Sequence, residues 1–390
     1  MFKMNGTKTK PMNRRALIGK LKHFDDGVRS LFEQATDSCQ NLYQTYTGDA
    51  LDLREIQTYP EWKVQMCFRN LRKHQRKRSR QSIIYILPLG PFPKILRMPI
   101  EHGSVSTFEL IRRFVSCYFF GMTVKFLEEI AVTMVNCKQR FHPVTGKLQL
   151  LVTDLMHYLK TSLPADGYCI IGLTWVDLYP GEDWNFVLGE SSCEDGCAVV
   201  SFGHFEPQSY QYKHLNDTTN QNIAGVQCDK ADRTIFSVSF ERNGQDDVSL
   251  YLEDFADIEK VNKKIIWRLL RVSSHEICHV FGMAHCSYFA CAMNESKSVL
   301  QAENQPLFLC PVCLRKLQKA VGFDVMERYT GLCILLEYVM NEILSKDDYC
   351  HTEDTSLQNT EECKFVMAIS WLKSVLKFIK RNNDINSTSN

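Results

Sequence analysis

Two histidines stand four residues apart in the stretch Ser274–Cys291, which reads SHEICHVFGMAHCSYFAC. On a helix His275 and His279 share one face, so both imidazoles can reach a single metal ion. Glu276 lies between them and has the chemistry of a general base beside such an ion. Gly282 permits the left-handed turn that ends a helix, and that turn can bring His285 back as a third ligand. Three imidazoles leave one position of a tetrahedral zinc open to water, which separates a catalytic centre from a structural one. A lone H-E-x-x-H also occurs on solvated helices whose side chains never meet. A glycine and a third histidine at the required offsets favour metal binding over that reading.

A second ligand set follows at once. Cys286 is next to His285, Cys291 comes shortly after, and Cys310-Pro311-Val312-Cys313 completes two pairs of thiols. A single C-x-x-C reads equally as a redox pair or as two unrelated buried thiols. Four cysteines at these offsets favour a closed, tetrahedral, structural zinc. Cys278 precedes His279 by one residue and is expected to face away from the metal, in the core.

Together, H-E-x-x-H-x-x-G-x-x-H-C-x-x-x-x-C-x-M followed by C-x-x-C closely resembles the archaemetzincins, metzincin-like zinc proteins of archaea and eukaryotes. Leu309–Tyr329 (LCPVCLRKLQKAVGFDVMERY) resembles the eukaryotic branch. The resemblance covers roughly Ser82 to Tyr329 and is densest over His275–Cys313. It implies an α+β, metzincin-like zinc metalloprotease fold with a mixed twisted sheet, a long active-site helix and a helical C-terminal part. It also implies two zinc ions per chain, one catalytic on His275, His279 and His285, one structural on Cys286, Cys291, Cys310 and Cys313. Met293 would supply the Met-turn beneath the first, although a core methionine suits the position as well. The activity implied is peptide hydrolysis, aminopeptidase-like or of narrow specificity, with Glu276 as general base. The residues alone do not choose between exo- and endo-cleavage.

A chain of 390 residues with 44% apolar content supports a sizeable core and two or three domains. The expected division is an extension with a basic linker over 1–81, a catalytic domain over 82–330 and a helical extension over 331–390. A net charge of +1 exerts no global pull on nucleic acid or acidic membrane. Met1–Lys20 is polar and basic and lacks the apolar stretch of a secretory signal. The sixteen cysteines are therefore read as reduced thiols of the cytosol or nucleus rather than a disulfide framework. On that reading the N-x-S/T sequons at Asn5, Asn216, Asn294 and Asn386 carry no glycan. No run has the roughly 18 apolar residues of a membrane span, and nothing in the residues sets an oligomeric state.

Along the chain, Ala16–Gln34 has helical spacing and the residues up to Pro60 are turn-rich. The basic run Arg69–Arg80 reads better as a solvated linker than as an import signal or RNA contact, since no aromatics interleave with the charges. Ile83–Leu87 suits a buried strand, broken by Pro88, Gly90, Pro91 and Pro93. Thr107–Phe120 is a helix, Met122–Leu127 a strand, Leu148–Leu159 a helix and Tyr168–Leu173 a strand. The alternation predicts a partly parallel sheet with crossover helices. Trp175–Pro180 and Trp184–Gly189 read as irregular loops, with Asp177 a turn residue or a shaper of the cleft. Ala198–Phe205 is the candidate edge strand that pairs with an extended peptide, and His204 at its end reads as a surface histidine. Glu206–Asp254 is a long polar segment with a candidate hairpin at Thr234–Phe240. Asp257 caps the active-site helix Ile258–Phe281, whose stripe Val261, Ile265, Leu269 and Val272 faces the core. Leu314–Ala320, Met326–Leu344 and Phe365–Ile379 are helical, and Arg381–Asn390 has the composition of a disordered end.

Two other classes compete with the enzyme. One is a zinc-stabilised module that binds a peptide or protein with little turnover. Intact ligands and Glu276 favour the enzyme, since a binder has no use for that carboxylate. The other is a nucleic-acid binder built on Arg69–Arg80 and the four-cysteine zinc, for which the charge balance gives no support. No G-x-S-x-G elbow, P-loop or dinucleotide fingerprint is present. The partner expected is a peptide or protein substrate.

Overall fold

The computed structural model describes residues 14–34, 42–44, 46, 57–71, 81–100, 104–142, 148–182, 185–203, 261, 263–296, 299–343 and 360–387. The readings of Glu206–Asp254, of Thr234–Phe240, of Asp257 with the first turn after it, of His204 and of Arg72–Arg80 lie outside these residues.

Three helices precede the sheet: α1 (Arg14–Ile18), α2 (Asp26–Glu33) and α3 (Tyr59–Leu71). The single helix expected over Ala16–Gln34 is two. Gly19 turns left-handed (φ 70°), and Asp25 starts the second helix by accepting from Val28 N at 2.9 Å. The stretch around Pro60, expected as turns, begins α3. Its cause is a capping box: Thr58 Oγ1 accepts from Glu61 N, and Glu61 Oε2 accepts from Thr58 N at 2.8 Å.

The main sheet and its crossovers follow as β1 (Ile83–Gly90), α4 (Thr107–Tyr118), β2 (Thr123–Phe126) and β3 (Ile130–Ala131). Then come β4 (Gln139–Phe141), β5 (Leu148–Leu151), α5 (Val152–Ser162), β6 (Gly167–Thr174) and β7 (Asp177–Tyr179). Strands β8 (Gly189–Ser192) and β9 (Cys197–Ser201) complete the set. The order is β2-β1-β6-β9-β8, with β3 extending the pairing of β1. All neighbours are parallel except β8, which runs antiparallel to β9, so the sheet is mixed. A smaller sheet joins β4, β5 and β7.

Three expectations change here. Strand β1 continues through Pro88 to Gly90. Ser82 O and Ile86 O accept from the β2 segment, so alternation points the Pro88 nitrogen to that same side. There the neighbouring chain has left the ladder between Phe126 and Ile130, and a missing N–H costs nothing. Leu148–Leu151, expected as the start of a helix, is a strand because it is paired on both sides, by β4 and β7. Most consequential, the strand at Ala198 is not an edge. It lies between β6 and β8, and among the described residues the edge belongs to Gly189–Ser192, of which only Gly189 falls in a stretch read as loop.

The remaining helices are α6 (Lys263–Val280), α7 (Val299–Asn304), α8 (Pro311–Val321), α9 (Val325–Tyr338) and α10 (Thr360–Ser387). Helix α5 covers one sheet face, where Leu159 packs on Gly172 and Cys197 donates to Met156 O. Helix α6 covers the other, beneath β8 and β9. The expected stripe Val261, Ile265, Leu269 and Val272 is buried, and so is most of the rest of α6. Helix α10 runs past the expected end at Ile379 into the stretch read as disordered. It is held there by α2: Gly27 leaves no room for a Cβ against Ile379 O, and Gly27 N donates to Asn383 Oδ1 at 2.6 Å. One apolar core extends from Leu17 to Ile379, so side chains from both expected extensions enter it. Among the described residues no helix is long and apolar enough to cross a membrane.

Candidate active site

Helix α6 ends in a Schellman turn. Gly282, at φ 77°, donates to His279 O at 2.8 Å, and Met283 N donates to Cys278 O at 3.4 Å. The turn carries the chain back over the last turn of the helix. His275, His279 and His285 meet there, with ligand-capable nitrogens all within 4.8 Å of one another. The Nε2 atoms of His275 and His279 are 3.0 Å apart, a gap one ion at about 2.1 Å from each can span.

Each of these two rings is fixed from behind. His275 Nδ1 lies 2.6 Å from Ala292 O, and His279 Nδ1 lies 2.6 Å from Met283 O. A carbonyl only accepts, so both Nδ1 atoms donate and both Nε2 atoms present lone pairs to the shared point. Burial pushes the His275 pKa far down, with the charges of His279, Arg271 and His285 adding to it. Burial, then His285, brings His279 to about 4. Neutral imidazoles facing one another without protons between them are the donor set of a metal centre. His285 is exposed, so the site opens on its side.

Glu276 sits on α6 under the edge strand. It is buried, and burial raises its carboxyl to about 7, against hydrogen bonding from Ser191 and the positive charge of Arg271. Gly189 makes room for it. A Cβ there would lie 2.8 Å from Glu276 Cγ and 2.8 Å from Val199 O. Gly189 and Ser191 therefore face α6, and Glu190 faces the opposite side of β8. Sequence reasoning missed both residues, because a short polar strand carries no apolar alternation. The pair Gly-x-Ser before the Cys193–Gly196 turn was the one available hint.

The four cysteines also converge, with sulfurs within 4.8 Å and all of them buried. Cys286 and Cys310 Sγ are 3.7 Å apart, too far for a disulfide, while ligands at about 2.3 Å around a tetrahedral ion stand about 3.8 Å apart. Met293 N and Cys310 N both donate to Cys291 Sγ. Burial pushes the Cys310 thiol up, and hydrogen bonding with Cys286 pushes Cys313 up. Cys286 is held down by its neighbours, Cys291 first. Four buried thiols cannot all ionise without a cation among them, so the cluster fits a divalent ion.

Asn294 organises this loop and was noted in sequence only as a sequon. It is 1% exposed. Its Nδ2 donates to Cys286 O and Phe289 O at 2.7 and 2.9 Å, and its Oδ1 accepts from Cys291 N at 2.7 Å. Met293 is fully buried, and its carbonyl accepts from Cys286 N at 2.7 Å. Thus Ala292 orients a histidine while Met293 holds the residue after another. Cys278 is buried beside Tyr118, as expected of a core thiol. Asp177 opens strand β7 rather than a turn: fully buried, it accepts from Gln149 Nε2 at 2.8 Å.

A family model described as Peptidase family M54 matches residues 218–319. The chain is 33% identical over 318 residues to archaemetzincin-2 of Pongo abelii, an alignment spanning 81% of each chain. It is 28% identical over 317 residues to archaemetzincin-2 of Mus musculus, again over 81% of each. A crystal structure of an archaemetzincin from Methanopyrus kandleri matches at 20% identity and TM-score 0.37, covering 62% of this chain and 97% of that one.

Proposed function

The chain belongs to the archaemetzincin family, peptidase family M54, and from that premise we propose that it is a zinc-dependent metallopeptidase acting on peptides with a free amino terminus. His275, His279 and His285 would hold the catalytic ion. Cys286, Cys291, Cys310 and Cys313 would hold a second, structural one. A zinc ion at the histidines supplies a Lewis acid and lowers the pKa of water to roughly 7.

The observation that carries the reading is Glu276. A buried carboxylate stands on the helix that presents two of the imidazoles, beneath the strand that forms the sheet edge among the described residues. Its role is to take a proton from the attacking water at its carboxylate oxygen and pass it to the leaving amine. Burial keeps its proton affinity near neutrality, which suits both halves of that exchange. Ser191 and Gly189 position it. The free edge of β8 offers backbone groups to an extended peptide without reading its sequence.

Crowding at one end of that edge favours an aminopeptidase-like cleft. Around the Gly282 Cβ position, Met66 Sδ of α3 lies at 2.6 Å, Cys193 Sγ just beyond β8 at 3.2 Å and Trp62 Nε1 at 3.4 Å. A peptide antiparallel to β8 points its amino end towards Cys193, so α3 limits the residues that fit before the scissile bond.

The test compares wild type with Glu276→Ala on matched peptide libraries, amino-terminally free and blocked, with metal content measured. The variant is expected to keep both ions and lose cleavage by about 10²–10⁴-fold. Equal cleavage by both proteins removes the hydrolase. Equal cleavage of free and blocked peptides removes the aminopeptidase character. Tight peptide binding without turnover in wild type leaves the binding module.

A further inference from the structure

The turn that brings His285 round is held from outside the ligand motif. Gln57, just before α3, sits across it. Its Nε2 donates to Gly282 O at 3.0 Å, and its Oε1 accepts from Ala284 N at 3.1 Å. The preceding carbonyl, Phe281 O, accepts from Trp62 Nε1 at 3.0 Å. A helix end leaves carbonyls without intrahelical partners, and the Schellman bonds serve only those of Cys278 and His279. Trp62 and Gln57 take those of Phe281 and Gly282.

Gln57 is itself held. Lys316 Nζ donates to its backbone carbonyl at 2.6 Å and to its Oε1 at 2.9 Å. Lys316 is 2% exposed and belongs to α8, the helix whose first turn carries Cys313. A buried ammonium is costly unless its donors are used, and both acceptors come from this one glutamine. Displacing Gln57 therefore strands a buried charge as well as the turn.

We propose that Gln57, braced by Lys316, is a positioning residue for the third metal ligand. It touches neither substrate nor ion. It fixes the backbone on both sides of Met283, whose carbonyl orients His279 and whose chain leads to His285. The inference rests on the reading of the three histidines as a zinc centre. Outer residues that orient metal ligands typically contribute about 10–100-fold to metal affinity.

The experiment uses the full chain, with zinc competition against a chromophoric chelator and ion counts by native mass spectrometry. Gln57→Ala is expected to weaken the histidine-centre ion about 10–100-fold while the cysteine-centre ion stays bound. Gln57→Glu keeps acceptors for Ala284 N and Lys316 but loses the donor to Gly282 O, and is expected to restore only part of that affinity. Lys316→Met is expected to weaken the same ion about tenfold. Wild-type affinity in Gln57→Ala, alongside loss of the ion in His279→Ala, overturns this inference and leaves the zinc reading intact. A wild type with no ion that His279→Ala removes overturns both. Should Gln57→Ala fail to fold, Lys316→Met decides, and unchanged affinity there overturns the strut.

Discussion

The three-histidine and four-cysteine centres share one stretch of chain and are built on opposite principles. The cysteine centre is closed: Cys286, Cys291, Cys310 and Cys313 are all 3% exposed or less. Backbone N–H groups point at its sulfurs, Asn294 ties its loop, and Trp371 of α10 stacks on Phe308 beside it at 4.8 Å between ring centroids. The histidine centre is graded from buried His275 through half-buried His279 to exposed His285. Burial on one side supplies fixed ring orientations, and exposure on the other supplies room for a substrate. The same turn serves both, since Cys286 N bonds Met293 O while Ala292 O holds His275. On the proposed function, the contrast teaches that ligand type alone would not make a centre catalytic. An approachable face and a nearby base would.

The sharpest way to break this contrast is to remove one ligand from each centre. Cys310→Ser is expected to unfold the chain or leave it without a cooperative melt, with both ions lost. Structural zinc supplies about 10–16 kcal/mol in small zinc-binding peptides, as much as a whole domain's typical stability of about 5–15 kcal/mol. His279→Ala is expected to lose one ion and all turnover while keeping the melting transition. Metal content and thermal melts of the two variants decide it. A Cys310→Ser protein that melts like wild type would remove the structural role.

The two clusters of ligand-capable side chains are legible because metal geometry translates into fixed offsets. One helical turn separates His275 from His279, a left-handed glycine follows, and the third imidazole returns three residues later. The parallel strands are legible for a related reason, since Ile83–Leu87 and Tyr168–Leu173 are buried on both faces and read as continuous apolar runs. The edge strand is not. Gly189–Ser192 is a strand because Cys197–Ser201 pairs with it, and its own residues have no strand preference. Leu148–Leu151 misled in the opposite way, because a helical stripe at Leu155 and Tyr158 seemed to extend back through it. The capping box Thr58-x-x-Glu61 is present in the sequence but is obscured by the turn formers around it. Gln57 could not be found at all. Its partner Gly282 is 225 residues along the chain.

A subtler probe acts on the open centre alone. Gly189→Ala places a methyl 2.8 Å from both Glu276 Cγ and Val199 O, so either the carboxylate or the edge strand must move. Misplacing a catalytic group by an ångström costs on the order of 100-fold, and partial relaxation brings the expected loss of turnover to about 10–100-fold. Both ions are expected to stay, with melting lowered, since Val199 O is backbone and yields only if the strand shifts. Wild-type kcat in Gly189→Ala would show that Glu276 has freedom the packing does not suggest.

The smallest effect reads the difference between the centres through protons alone. A ligand must be deprotonated to bind, so each proton displaced makes affinity rise tenfold per pH unit. His275 and His279 are already neutral at pH 6, since burial holds the first far below its ordinary value and the second at about 4. These two rings therefore release no proton on binding above pH 6, while Glu276, whose carboxyl lies near 7, gives up the one that an adjacent cation drives off. The cysteine centre starts from Cys310 and Cys313 held protonated, the first mainly by burial and the second mainly by hydrogen bonding with Cys286. Zinc must displace both protons, so affinity there is expected to climb at least about 100-fold per pH unit between 6 and 8. The histidine centre should climb less steeply, since two of its three ligands are already unprotonated. Calorimetric titration in two buffers of different ionisation enthalpy counts the protons directly. Equal counts at the two centres would mean that their opposite burial patterns do not govern how they hold metal.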